Sequence, residues 1–136
     1  YNSLAIKEAL TQNKNEFGGG DMKPHNINLE PVERPLEIYV GETKLGETEK
    51  ALSLMEPPLA PVYYIPRDDV DDQYLQPSNH TTTCPFKGEA TYFHLKIGQL
   101  KIENAVWSYQ QPIESVAQIR GMLAFNPEKV QFKIKI

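Results

Sequence analysis

The sequence predicts a mainly β fold built from antiparallel strands, and three observations carry the prediction. Apolar and polar residues alternate with period two over 36–40, 91–97 and 130–136, as half-buried strands require. Gly41 and Gly98 fall at the ends of such runs, where a chain reversal favours a residue without a Cβ. Eleven prolines along 136 residues interrupt any long helix. The length fits one compact β-rich domain over 35–136, sheet-like or barrel-like with one or two short helices, preceded by an N-terminal arm over 1–34.

Within the arm, 3–11 reads as a short helix, because Ser3 can cap it and Ile6, Ala9 and Leu10 share a face. Gly18-Gly19-Gly20 reads as a flexible connection, and Pro24, Pro31 and Pro35 keep the following chain extended. Leu36, Ile38 and Val40 open a first hairpin that turns at Gly41 and returns over 44–48. The apolar run 51–55 fits a helical turn or a buried strand equally, and Pro57-Pro58 ends it in either case. A short strand over 62–65 leads into a polar loop over 66–79.

The clearest local structure is a hairpin over 90–108, with Gly98-Gln99 as a two-residue turn of type II′. That turn fixes a register: Ile97 opposite Leu100, Leu95 opposite Ile102, His94 opposite Glu103, Ala90 opposite Trp107 and Gly88 facing Tyr109. The register matters for function because it carries 80–88 to the same end of the hairpin as Trp107-Ser108-Tyr109. Ile113, Val116 and Ala117 then recur at helical spacing after Pro112, with Gly121 as a stop, which predicts a two-turn helix. A strand over 122–125, a turn at Asn126-Pro127 and a last strand with outward lysines complete the chain.

Charge and composition exclude several functions. A net charge of -4 supplies no positive field for a nucleic-acid backbone, so no nucleic-acid partner is expected. Cys84 is the sole cysteine, which excludes an internal disulfide and any multi-cysteine zinc site. No apolar run approaches the roughly 20 residues needed to span a bilayer, and no signal-type stretch opens the sequence, so a cytoplasmic protein without a membrane partner is expected. Asn79-His80-Thr81 matches a glycosylation acceptor, but no secretory signal supports its use. Asp68, Asp69, Asp71 and Asp72 lack the Gly and terminal Glu of a calcium loop, and Gly18 to Gly20 lack the Lys-Ser or Lys-Thr of a phosphate loop.

The chemistry concentrates in His80-Thr81-Thr82-Thr83-Cys84-Pro85-Phe86-Lys87-Gly88, which reads as one loop holding an imidazole, three hydroxyls, a thiol and an ammonium. A thiol beside a cation has its thiolate favoured, and an imidazole within reach can take its proton, as cysteine nucleophiles require. In that catalytic version His80 is the general acid or base, Cys84 the nucleophile or a polar wall, and Lys87 the anion stabiliser. In a ligand-binding version Lys87 and Arg67 face an anionic group, Thr81 and Thr83 add hydroxyls, and Tyr64, Tyr92, Trp107 and Tyr109 form walls. Against both stands a plain reading: Cys84 as a small buried side chain, threonines bonding their own loop, and aromatics packing across strands. His80, Cys84 and His94 have mixed zinc-ligand chemistry, but the paired two-residue spacing of a finger is missing, so no metal or cofactor is expected.

Several stretches together resemble the domain of unknown function 427 family. They are Pro61-Val62-Tyr63-Tyr64-Ile65-Pro66-Arg67, the run 77–92 with His80-Thr81-Thr82 and Cys84-Pro85-Phe86-Lys87-Gly88, Ala105-Val106-Trp107-Ser108-Tyr109, and Gly121-Met122-Leu123-Ala124-Phe125. The resemblance spans about 35–132 and leaves the arm outside it. It implies a compact, mainly antiparallel β fold, and it carries the family's polar and aromatic motif onto Tyr64, Arg67, His80, Thr81, Cys84, Lys87, Tyr92, Trp107 and Tyr109. Asn104 stands where family members commonly have Asp, and Asn126 where an aromatic often follows Ala-Phe. The nucleotidyltransferase-like label sometimes given to the family implies magnesium-binding carboxylates after a Gly-Ser pair, a pattern this sequence lacks. The expectation is therefore a small-molecule-binding domain, with catalysis by the His80, Cys84 and Lys87 loop as its enzymatic form. The alternative is an interaction module that self-associates through the arm or the C-terminal edge strand.

Overall fold

The computed structural model describes residues 27–136. The expected helix at 3–11 and the glycine run at 18–20 lie outside the described residues. The strands are β1 (Asn28–Pro31), β2 (Leu36–Val40), β3 (Thr43–Thr48), β4 (Leu52–Met55), β5 (Val62–Ile65), β6 (Leu75–Cys84), β7 (Gly88–Ile97), β8 (Leu100–Tyr109), β9 (Leu123–Phe125) and β10 (Gln131–Ile134). They form two antiparallel sheets, one of seven strands in the order β1-β4-β5-β9-β8-β7-β6 and one of three in the order β10-β2-β3. The protein is mostly β, as the alternation predicts. The end of the expected arm, Asn28–Pro31, pairs with β4 and forms one edge of the large sheet.

Period-two alternation gives the large sheet two buried faces. On one, Ile65, Phe93, Leu95, Val106, Leu123 and Phe125 pack against Leu36, Ile38 and Leu45 of the small sheet. Gly46 makes the tight junction there: a Cβ on it would collide with the Asp69 carbonyl oxygen, so no larger residue fits without moving that backbone. On the opposite face, Tyr64, Cys84, Ala90, Tyr92, Trp107, Tyr109 and Ala124 pack with Val116, Ile119 and Met122.

Three expectations are corrected. The polar loop foreseen from 66 onward is two 3-10 turns, Arg67–Asp69 and Asp72–Tyr74, followed by ten residues of β6. Hence His80 to Thr83 lie on an edge strand, and only 85–87 form the connection to β7. Edge strands need no apolar alternation, because one flank meets water, so this polar run carries little strand signal. The helix after Pro112 is a 3-10 segment, Glu114–Ile119, broken at Val116, where φ is -124° and ψ 29°.

The third correction concerns register. Near the turn the pairing is as expected, Ile97 with Leu100 and Leu95 with Ile102, and Gly98 takes φ +59°. Beyond it the strands slip by two residues: Phe93 meets Val106, Tyr92 meets Trp107 and Ala90 meets Tyr109. Three residues, Glu103 to Ala105, bulge opposite His94 alone. Asn104 makes the bulge possible by adopting φ +52°, a left-handed conformation that Asn tolerates better than most residues. Its N–H donates to His94 Nδ1 at 3.0 Å, and its Oδ1 accepts from the Ser78 hydroxyl at 2.6 Å. His94 therefore faces the bulge backbone and does not pair with Glu103.

Candidate functional site

Two turns build the centre of the site. Glu56 follows β4, where Pro57 and Pro58 cannot continue a ladder, and a turn closes as Leu59 N–H donates to Glu56 O at 2.9 Å. Four strands away in the same sheet, Cys84-Pro85-Phe86-Lys87 forms a turn closed by Lys87 N–H to Cys84 O at 3.1 Å. Gly88 follows at φ +114°, and a Cβ there would approach the Gln111 carbonyl oxygen at 3.2 Å. Ile113 N–H then donates to Lys87 O at 2.9 Å, pinning the turn under the 111–113 segment.

These turns place Lys87 Nζ 2.8 Å from Glu56 Oε1 and 3.8 Å from Cys84 Sγ. Side-chain exposure is 1% for Lys87 and 9% for Glu56, so the ion pair is inside the protein. β4 and β7 are four strand spacings apart, roughly 19 Å across a flat sheet at about 4.8 Å each. A direct contact between residues at their ends means that the large sheet curls around this face, in the barrel-like manner expected.

The walls are aromatic. Burial pushes the Tyr64 phenol far above its ordinary value, a hydrogen bond with the Trp107 side chain opposes that shift, and Cys84, Glu56 and Tyr92 nearby add to it. The Tyr92 hydroxyl lies 3.0 Å from Thr82 Oγ1, and its pKa is raised, by burial first and against this hydrogen bond. Tyr92 also stacks obliquely on Trp107, with centroids 6.2 Å apart, and meets the edge of the exposed His80 ring at 4.6 Å. Tyr109 is buried in the same cluster.

The structure thus gathers Cys84, Lys87, Tyr64, Tyr92, Trp107 and Tyr109, with His80 at the rim. It does not gather the rest. His80 and Cys84 are four residues apart along β6, on the order of 13 Å at strand rise, so the imidazole is out of hydrogen-bond range of the thiol. Thr81 and Thr83 are exposed, opposite Thr91 and Glu89 on β7. Arg67 pairs with Asp72 at 3.1 Å and lies over the Phe93 ring at 4.9 Å, on the other face of the sheet.

Sequence reasoning missed Glu56. Its signal was a single acid inside the apolar stretch 51–62, just where two prolines force a turn. Among the described residues no group of three or more His, Cys, Asp or Glu side chains could hold a metal ion, and no helix is long and apolar enough to cross a membrane. Two surface depressions lie away from the cluster, one of about 580 Å³ lined by Glu30 to Arg34 and Ile134, the other of about 300 Å³ lined by Glu47 to Lys50 and Asp69.

No curated protein matches the chain. A family model, described as a domain of unknown function (DUF427), matches residues 28–135, which take in every strand from β1 to β10 together with both turns of the buried cluster. By that match the chain belongs to the DUF427 family.

Proposed function

We propose that the chain is a binding domain for a small anionic molecule, received by the Lys87 ammonium within the Tyr64, Tyr92 and Trp107 walls. The observation that carries this reading is the buried Lys87–Glu56 contact at 2.8 Å. A buried ion pair adds little stability over an apolar pair of the same shape, because desolvating both charges offsets their attraction. Its presence among buried aromatic walls is better accounted for by a role in recognition. An anion entering past Tyr92 and His80 takes the place of the Glu56 carboxylate on Lys87, and the hydroxyls of Thr82 and Tyr92 line its path. In the enzymatic form of this reading Cys84 is the nucleophile and Lys87 stabilises negative charge, while His80 has no part in activating the thiol.

Titration calorimetry with phosphate, acetate, pyruvate and citrate tests the reading. At least one anion should bind the native protein, and Lys87→Met should lose that binding while Lys50→Met, at an exposed position, keeps it. Binding that survives Lys87→Met, or no binding by any of the four, overturns it.

The C-terminal edge supports a second reading, self-association. Ile134, the last residue of β10, and Ile136 just beyond it are exposed, and β10 is an outer strand of the small sheet. Light scattering that finds only monomer at high protein concentration would remove it.

A further inference from the structure

The turn that carries Lys87 also sets up chemistry that requires no bound ligand. Cys84 and Lys87 are its first and last residues, so backbone closure holds the amine 3.8 Å from the sulfur. Glu56 Oε1 sits 2.8 Å from the same nitrogen, a proton acceptor already in contact. Cys84 is 2% exposed and Lys87 0%, so only a small oxidant reaches the sulfur and little water competes with the amine.

We infer that Cys84 and Lys87 form an oxidative modification site, at which a hydroperoxide generates a sulfenic acid that the Lys87 amine converts to an Nζ–Sγ sulfenamide. With hydrogen peroxide, Sγ attacks one oxygen, the O–O bond breaks and one water leaves; sulfur gives up two electrons and the peroxide accepts them. Next, Glu56 takes a proton from the Lys87 ammonium and the freed lone pair attacks Sγ. The S–O bond breaks, and hydroxide leaves as water with the second nitrogen proton. Thiol, amine and peroxide become sulfenamide and two waters, and the remaining ammonium proton stays on Glu56. The product buries no net charge, because Glu56 ends protonated beside a neutral sulfenamide. A thiol reductant restores both side chains.

The inference stands apart from anion binding, and its test uses no anion. The native chain is treated with hydrogen peroxide, digested with trypsin and weighed. Cleavage after Lys87 should disappear, and the peptide holding Cys84 and Lys87 should be two hydrogens lighter, both reversed by dithiothreitol. Dimedone, which captures sulfenic acids, should label the native chain weakly and Lys87→Arg strongly, because the guanidinium does not close the bond. Where Lys87→Arg fails to fold, the native digest decides alone. A peptide that gains oxygen and is still cut after Lys87 overturns the inference. So does a peptide two hydrogens lighter that trypsin still cuts there, since that bond is to a backbone nitrogen.

Discussion

The two faces of the seven-stranded sheet are both buried, yet they bury different chemistry. Toward the small sheet, Leu36, Ile38, Leu45, Ile65, Leu95 and Phe125 meet with no polar side-chain atom among them. On the opposite face Tyr64, Tyr92, Trp107 and Cys84 surround a carboxylate and an ammonium. Apolar burial, worth about 25 cal/mol per Å², suffices to explain the first face. The second carries charge that the hydrophobic effect alone would have excluded. One face serves mainly to hold the fold, and the other combines packing with a buried thiol and an ion pair.

Substitutions can break this comparison. Lys87→Met takes the ammonium away from the buried Glu56 carboxylate and should cost about 3–5 kcal/mol in urea unfolding; a loss below about 1 kcal/mol would put the pair among weak surface contacts. Leu45→Ala on the dry face should cost about 2–5 kcal/mol through lost transfer energy and a cavity. The two variants differ in a second readout. Trp107, the only tryptophan, lies on the polar face, so its native emission should shift in Lys87→Met and stay put in Leu45→Ala. A shift in Leu45→Ala would show that the faces are coupled.

Titration separates the regions further. Burial raises Tyr64 and Tyr92 above the ordinary 10.0. The unfolded phenols therefore ionise first, and the stability these residues contribute is fully present below pH 10 and lost as pH rises beyond it. Tyrosinate absorbance should appear together with unfolding, and Tyr64→Phe should flatten the alkaline limb; an unchanged limb would contradict the buried assignment. The smallest effect belongs to the cluster on the small sheet in which the half-exposed Lys44, Glu47 and Lys135 surround the buried Glu37. Hydrogen bonds from Lys44 hold both carboxyls below 4.5, so their contribution is present above that pH and fades as pH falls through the lower folded values. Lys44→Met should move the acid midpoint slightly, and added salt should erase the difference. A difference that persists in high salt would show that the cluster is shielded from solvent.

The β fold was legible because Leu36, Ile38, Phe93 and Leu95 alternate cleanly on strands with one dry face. The Gly98 turn and the pairing next to it were legible, Ile97 with Leu100 and Leu95 with Ile102, but the register at the far end, where Trp107 lies, was not. Other features were hidden for physical reasons. The slip at Asn104 depends on one residue's left-handed backbone and on a partner, Ser78, far away in sequence. Periodicity cannot report either. His80 to Thr83 read as loop because polar residues on an edge strand lack a buried partner face. Glu56 stayed out of sight because its partner lies across the curl of the sheet, and curl is a property of the whole sheet.

The most direct test is urea unfolding of the double variant Glu56→Leu, Lys87→Met. If the buried pair serves recognition and not stability, removing both charges together should restore the fold to within about 1 kcal/mol of the parent, or above it. A double variant as unstable as Lys87→Met alone would show that the pair itself holds the sheet closed.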